Sequence, residues 1–278
     1  MRKRSNPASA GDSFAGQVCL ITGGAQGIGW AQAQAFAAAG AQVHVCDHSP
    51  AHLHRAQREL DGSRKIVLDQ VDVTSKTAVD QWITGIGKAD VYVHNAAFVR
   101  WSDVRDMSVE DAELSMRTGY EGLVYGVKAV LPLMLEAGGG HIVAMGSSAG
   151  RLLVVGPSAA YAAAKAAIEA YTEILRIELA STPVAVTLIR PGVVTGTDFF
   201  KTHVRSDRMP RLVDFLPPAT PDQVAGAVVD GVRKRKTVVD IPGYLPAMYR
   251  IYCLSPALFR YLTTLGGQAR HDYTRTRP

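Results

Sequence analysis

The sequence predicts an α/β fold: a doubly wound parallel sheet of about seven strands with helices on both faces, in one domain. Two observations carry this expectation. Seven short β-branched runs alternate with helix-period segments of ten or more residues, the pattern of right-handed βαβ crossovers. A chain of 278 residues, 47% hydrophobic and 20% charged, is also ordinary globular material that fits one large domain more easily than two.

Residues 1–14 are polar and alanine-rich and read as a disordered leader. The strand candidates follow as QVCLIT, AQVHVC, KIVLDQV, DVYVHNA, HIVAMGS, VAVTLIRP and TVVDIP, and the helix candidates span 27–39, 50–60, 74–86, 109–136, 158–180 and 221–235. Together they define a domain over 15–243. Between the last two strands, the irregular stretch 197–220 carries Phe199, Phe200 and several basic residues, and its length suits a lid. An apolar, aromatic extension with a polar tail occupies 244–278.

Composition excludes several classes. Cys19, Cys46 and Cys253 are too scattered for a disulfide framework or a zinc site, which points to a reducing cytoplasm, and the eight histidines form no metal-like cluster. MRKR at the start is followed by no apolar signal core, and no segment offers roughly twenty apolar residues for a membrane span. The net charge of +5 is dispersed except at MRKR and at RKRK (233–236), so no nucleic-acid partner is expected. Cations at RKRK suit the end of the preceding helix.

Directly after the first strand, TGGAQGIG runs into an alanine-rich helix. Gly23, Gly27 and Gly29 let the backbone approach a pyrophosphate, and the helix aims free N–H groups at it; Gln26 and Ile28 complete the turn. The spacing is G-x-x-x-G-x-G, and a plain tight loop is the bland alternative. The second strand ends in Asp47, where a carboxylate can take both adenosine ribose hydroxyls and repel a 2′-phosphate. With neutral Gln26, this favours NAD(H) over NADP(H). Asp47 could equally cap the helix that starts near Pro50.

In the fifth helix, YAAAK sets Tyr161 and Lys165 one turn apart, and Ser148 stands thirteen residues before Tyr161 at the end of HIVAMGS. The pair alone usually means a surface contact. Beside Ser148 it acquires chemistry: an ammonium and a nicotinamide cation favour the phenolate, Tyr161 exchanges a proton with an alcohol or ketone, and Ser148 holds the substrate oxygen.

These residues together resemble the short-chain dehydrogenase/reductase family, in its compact single-domain branch, over about 16–236. The resemblance implies a Rossmann-type fold, catalysis by Ser148, Tyr161 and Lys165, and a homodimer or homotetramer through the long helices. It implies cofactor contacts by Asp72 and Val73 in VDVT, Asn95 and Ala96 in HNAA, and Pro191, Gly192 and Val194 in RPGVV, with Lys165 on the nicotinamide ribose. Three departures stand out. His94 and Ala97 replace an asparagine and a glycine of NNAG, the family's catalytic asparagine falls on Gly119, and the threonine after the PG turn falls on Gly196, between Thr195 and Thr197.

The expected activity is NAD-dependent interconversion of a secondary alcohol and a ketone on a hydrophobic or cyclic small molecule. Phe98, Trp101, Leu152, Leu153 and Val154 are expected pocket walls. Lys201, His203, Arg205, Arg208 and Arg211 either attract an anionic substrate group or are solvated. The segment 244–265 closes over the pocket, joins a subunit interface, or lies on a membrane surface, in that order of preference. The rival reading, motivated by Gly119 and HNAA, is a dinucleotide-binding regulator with little catalysis.

Overall fold

The computed structural model describes residues 13–60, 65–153, 159–197, 211–265 and 267. Seven strands, β1 (Val18–Thr22), β2 (Gln42–Asp47), β3 (Ile66–Gln70), β4 (Val91–His94), β5 (Gly140–Met145), β6 (Val184–Pro191) and β7 (Val238–Ile241), form one sheet in the order 3-2-1-4-5-6-7. Every neighbouring pair is parallel. The helices are α1 (Gly27–Ala38), α2 (Pro50–Glu59), α3 (Lys76–Ile86), α4 (Val109–Met116), α5 (Gly122–Glu136), α6 (Ala159–Glu178), α7 (Pro221–Arg233), α8 (Leu245–Leu254) and α9 (Pro256–Thr264).

The strands read as nearly continuous apolar runs because both faces of the sheet are covered. Alternate side chains divide between two layers. Cys19 and Ile21 of β1 pack with Phe36 of α1 and Val224 and Val228 of α7, whereas Leu20 packs with Ile83 of α3, Val127 of α5 and Ile168 of α6. Each such large side chain contributes about 2 kcal/mol by leaving water. The strand order reverses between β1 and β4, so a crevice opens beyond their carboxyl ends. This reversal is what positions the site.

The structure departs from the sequence reading in three places. Phe14, assigned to the leader, packs edge-on against Phe36 with ring centroids 5.2 Å apart, and its N–H bonds Ala39 O, so the ordered domain includes it. The helix expected over 109–136 is interrupted by a π turn, Arg117–Glu121, in which Gly122 N–H reaches back to Arg117 O. The cause is a tertiary contact: the His94 ring takes up the Thr118 carbonyl at 3.2 Å and competes with the regular ladder. Thirdly, 244–265, to which the pattern assigned no secondary structure, forms α8 and α9, joined at Ser255.

RKRK serves the helix end. Asp230 holds Arg233, Lys234 and Lys236 at 2.7–3.0 Å, and these cations keep its carboxyl below the usual range.

Candidate active site

The glycine turn joins β1 to α1. Gly23 has φ 58°, and a side chain there would bring a Cβ to 2.8 Å from Ala96 Cα; at Gly29 a Cβ would lie 2.4 Å from Gly23 O. Neither position admits one. Asn95 braces the turn from β4 by donating from Nδ2 to Gly23 O at 2.8 Å. Thr22 Oγ1 accepts the N–H groups of Asn95 and Ala96, both at 3.1 Å, so its own proton points to His94 Nδ1 at 3.2 Å. His94 is thereby left neutral, with its Nε2 proton aimed at Thr118 O. Burial, and then the charge of Lys165, hold its pKa down at about 3.

At the end of β2, Asp47 is buried and its Oδ1 accepts Ser49 N–H at 3.0 Å and lies 3.3 Å from His52 Nδ1. It does not cap α2; Ser49 Oγ does so by accepting His52 N–H. Arg55, one turn beyond His52, lines the same end of the crevice. Asp72 turns its carboxylate onto the Thr74 N–H and hydroxyl at 2.9 and 2.8 Å.

At the other end, Tyr161 and Lys165 project from α6. Lys165 is buried and donates from Nζ to Met145 O at 2.7 Å, with the ammonium 5.6 Å from the centre of the Tyr161 ring. Burial lowers its pKa to about 8. Burial raises the Tyr161 pKa, against a smaller opposing effect of a hydrogen bond with Ser147.

Ser147 hydrogen-bonds Tyr161, and its Oγ accepts Ala149 N–H at 3.1 Å. Ser148, the serine read from the sequence, lines the same cavity; it opens a short 3-10 turn, Ser148–Gly150, and its carbonyl accepts the N–H groups of Arg151 and Leu152.

One cavity of about 1050 Å³ connects these ends. It is lined by Gly23, Gln26, Gly27, Ile28 and Gly29; by Asp47, Asp72 and Val73; by Asn95 and Ala96; by Ser147, Ser148, Tyr161 and Lys165; and by Pro191, Gly192 and Val194. All the site residues read from the sequence thus share one wall system. Phe98, Trp101, Leu152 and Leu153 are walls as expected, whereas Val154 and the basic residues 201–208 lie outside the described residues. Thr197, rather than Thr195, reaches the cavity near Gly27. Gly119 lies in the π turn; a Cβ there would meet Ala164 and Ile168 at an ordinary 3.6 Å, so a side chain could begin in that space.

Tyr244, Leu245 and Met248 of the C-terminal segment close the cavity, the first of the three roles considered for it. Behind them Tyr249 lies between two guanidinium groups, Arg190 at 4.7 Å and Arg151 at 5.4 Å from its ring centre. Arg190 is itself fixed to Asp240 and Glu169.

The sequence profile of the short chain dehydrogenase family matches residues 17–208. The chain belongs to that family. Among its relatives, the NADP-dependent 3-hydroxy acid dehydrogenase YdfG of Escherichia coli K12 is 31% identical over 218 residues, 76% of this chain and 87% of that protein. Dehydrogenase/reductase SDR family member 7B of mouse is 32% identical over 255 residues, 87% of this chain and 78% of that one. A crystal structure of a Burkholderia phymatum short chain dehydrogenase/reductase with NAD shares the fold, with TM-score 0.78 at 21% identity over 96% of this chain and 99% of that one.

Short-chain dehydrogenases are oxidoreductases that bind a nicotinamide dinucleotide, and the cradle here fits one. The cavity-lining turn has no room for a Cβ at Gly23 or Gly29, and the side-chain oxygen of Gln26 is buried without a hydrogen-bond partner among the described residues. Sequence reasoning missed Ser147, Arg55 and the cavity-lining Leu114 and Thr118. Arg55 was detectable as the residue three beyond His52 on the same helix face; the serine required the hydrogen bond itself.

Proposed function

We propose that the chain is an NAD(H)-dependent oxidoreductase that interconverts a secondary alcohol and a ketone on a hydrophobic small molecule. The observation that carries this reading is the placement of Tyr161 and buried Lys165, one turn apart on α6, beside Ser147 and Ser148 in a cavity shared with the glycine turn. When bound, the nicotinamide supplies or takes up the hydride. Tyr161 gives its proton to the ketone oxygen or receives one from the alcohol, and Ser148 holds that oxygen by a second hydrogen bond. A phenol held protonated by burial suits donation to a ketone. Lys165, whose pKa burial lowers to about 8, returns the proton to the phenol.

The cofactor preference rests on Asp47, whose buried carboxylate opposes a 2′-phosphate. Arg55 acts in the opposite sense, so the margin is smaller than Asp47 alone would give. At the substrate end Phe98, Trp101, Leu114, Leu152 and Met248 form an apolar wall, which favours a bulky, weakly polar substrate. The working form is a homodimer or homotetramer joined through α5 and α6, where Leu135, Ile174 and Ile177 stand exposed. Free Cys19 and Cys46 are consistent with work in the cytoplasm.

The test is a fluorescence titration with NADH and NADPH, followed by turnover on cyclic ketones and secondary alcohols. Tighter NADH binding is expected, with turnover that falls by about 10³-fold in Tyr161→Phe while NADH binding is retained. Full activity in that variant would overturn the mechanism, and preference for NADPH would overturn the role of Asp47.

A further inference from the structure

The helix pair α8–α9 has two apolar faces. Its inner face is accounted for: Leu245 and Tyr249 are buried against the domain, Phe259 is buried beneath α9, and Tyr252 meets Phe259 edge-on at 5.7 Å. The outer face repeats at helical spacing. On α8 it presents Ala247, Arg250, Ile251 and Leu254; on α9 it presents Leu258, Tyr261 and Leu262, followed by Leu265. Leu254 is 87% exposed, Tyr261 61% and Leu258 55%. A surface helix of a soluble domain ordinarily turns charged residues to this side.

Charge decides what covers the face. From Tyr244 to Leu265 the sequence contains Arg250 and Arg260 and no acidic residue. A second copy set face to face would bring arginines together without a carboxylate on the patch to pair with them. An anionic surface complements both. Arg260 lies at the cavity rim, donating from Nε to Leu153 O at 3.0 Å and from a terminal nitrogen to Tyr252 Oη at 2.9 Å. Leu153 lines the cavity and is half exposed, so the apolar face continues to the cavity mouth.

We propose that the outer face of α8 and α9 is a peripheral docking surface for an anionic lipid bilayer. The leucines and Ile251 enter the headgroup boundary to a depth of about 5–10 Å, with Arg250 and Arg260 at the phosphate level. No helix among the described residues is long and apolar enough to cross the membrane, so the pair lies on it. Docking places the cavity mouth against the acyl boundary.

The experiment is co-sedimentation of the full chain with phosphatidylserine-containing vesicles and with pure phosphatidylcholine vesicles, at low and high salt. Binding to the anionic vesicles is expected, weakened by salt and by removal of phosphatidylserine. The triple substitution Leu254→Gln, Leu258→Gln and Leu262→Gln should reduce it about ten-fold or more while leaving NADH binding unchanged. Failure of the parent chain to sediment with anionic vesicles would overturn the proposal, as would equal binding by the triple variant. So would light scattering that shows a larger assembly broken up by the triple substitution without vesicle binding, the result expected if a second copy covers the face.

Discussion

The two ends of the cavity are built from different materials. At the dinucleotide end the backbone forms the surface: two glycines exclude side chains, and Asn95 and Thr22 brace the turn through main-chain atoms. At the reacting end the surface is made of side chains brought from β5, α6, the π turn and α8. A site made of backbone allows little substitution, because an added methylene has nowhere to go. A site made of side chains leaves more room for exchange, as Gly119 illustrates: a Cβ there would meet Ala164 and Ile168 at an ordinary 3.6 Å.

The harshest way to break this contrast is Gly29→Ala. A Cβ 2.4 Å from Gly23 O forces the turn apart, so NADH affinity should fall about 100-fold or more, with about 3 kcal/mol of stability lost. Binding within a few-fold of the parent would show that the turn yields more readily than its geometry suggests. At the reacting end the serines give a paired test. Turnover should fall about 100-fold in Ser148→Ala and less in Ser147→Ala, both retaining NADH binding; the reverse order would move the role to the serine that hydrogen-bonds Tyr161.

Acidification probes the bracing between the two ends. Burial holds the pKa of His94 at about 3 and that of His141 at about 4, both below the unfolded value. The unfolded chain therefore binds more protons, and stability present above about pH 6.5 is lost as pH falls toward 4. Each histidine should remove about 2 kcal/mol by pH 5, so urea midpoints of the parent should drop with acid and those of His94→Asn should drop less. The smallest effect is expected from Gly119→Asn. Because a Cβ fits there, stability should change by less than about 1 kcal/mol, and a few-fold rise in turnover would show that the missing side chain limits the proton relay.

The same contrast explains what the sequence revealed. Strands buried on both faces and glycines that admit no substitute leave local signals, so the sheet, TGGAQGIG and Asp47 could be read directly. Tyr161 and Lys165 were legible because one helix carries both at fixed spacing. Ser148 lies across a loop from Tyr161, so spacing on one helix does not fix it as it fixes Lys165. The π turn depends on a hydrogen bond between His94 and Thr118, residues in different elements, and local periodicity carries no trace of it. The roles of α8 and α9 depended on which face met the domain, and with apolar residues all round the pattern could not choose.

The π turn also gives the molecule slack. Five residues with wider hydrogen-bond spacing separate α4, whose Leu114 faces the cavity, from α5, whose Leu123, Val127 and Val130 lock into the core. In an unbroken helix, gaining or losing one residue would rotate one half against the other by roughly 100° and pull one of the two surfaces out of place. Here the loop-like segment can absorb such a change in length. The substrate wall and the core are therefore free to vary as separate modules on what appears in sequence to be a single rod.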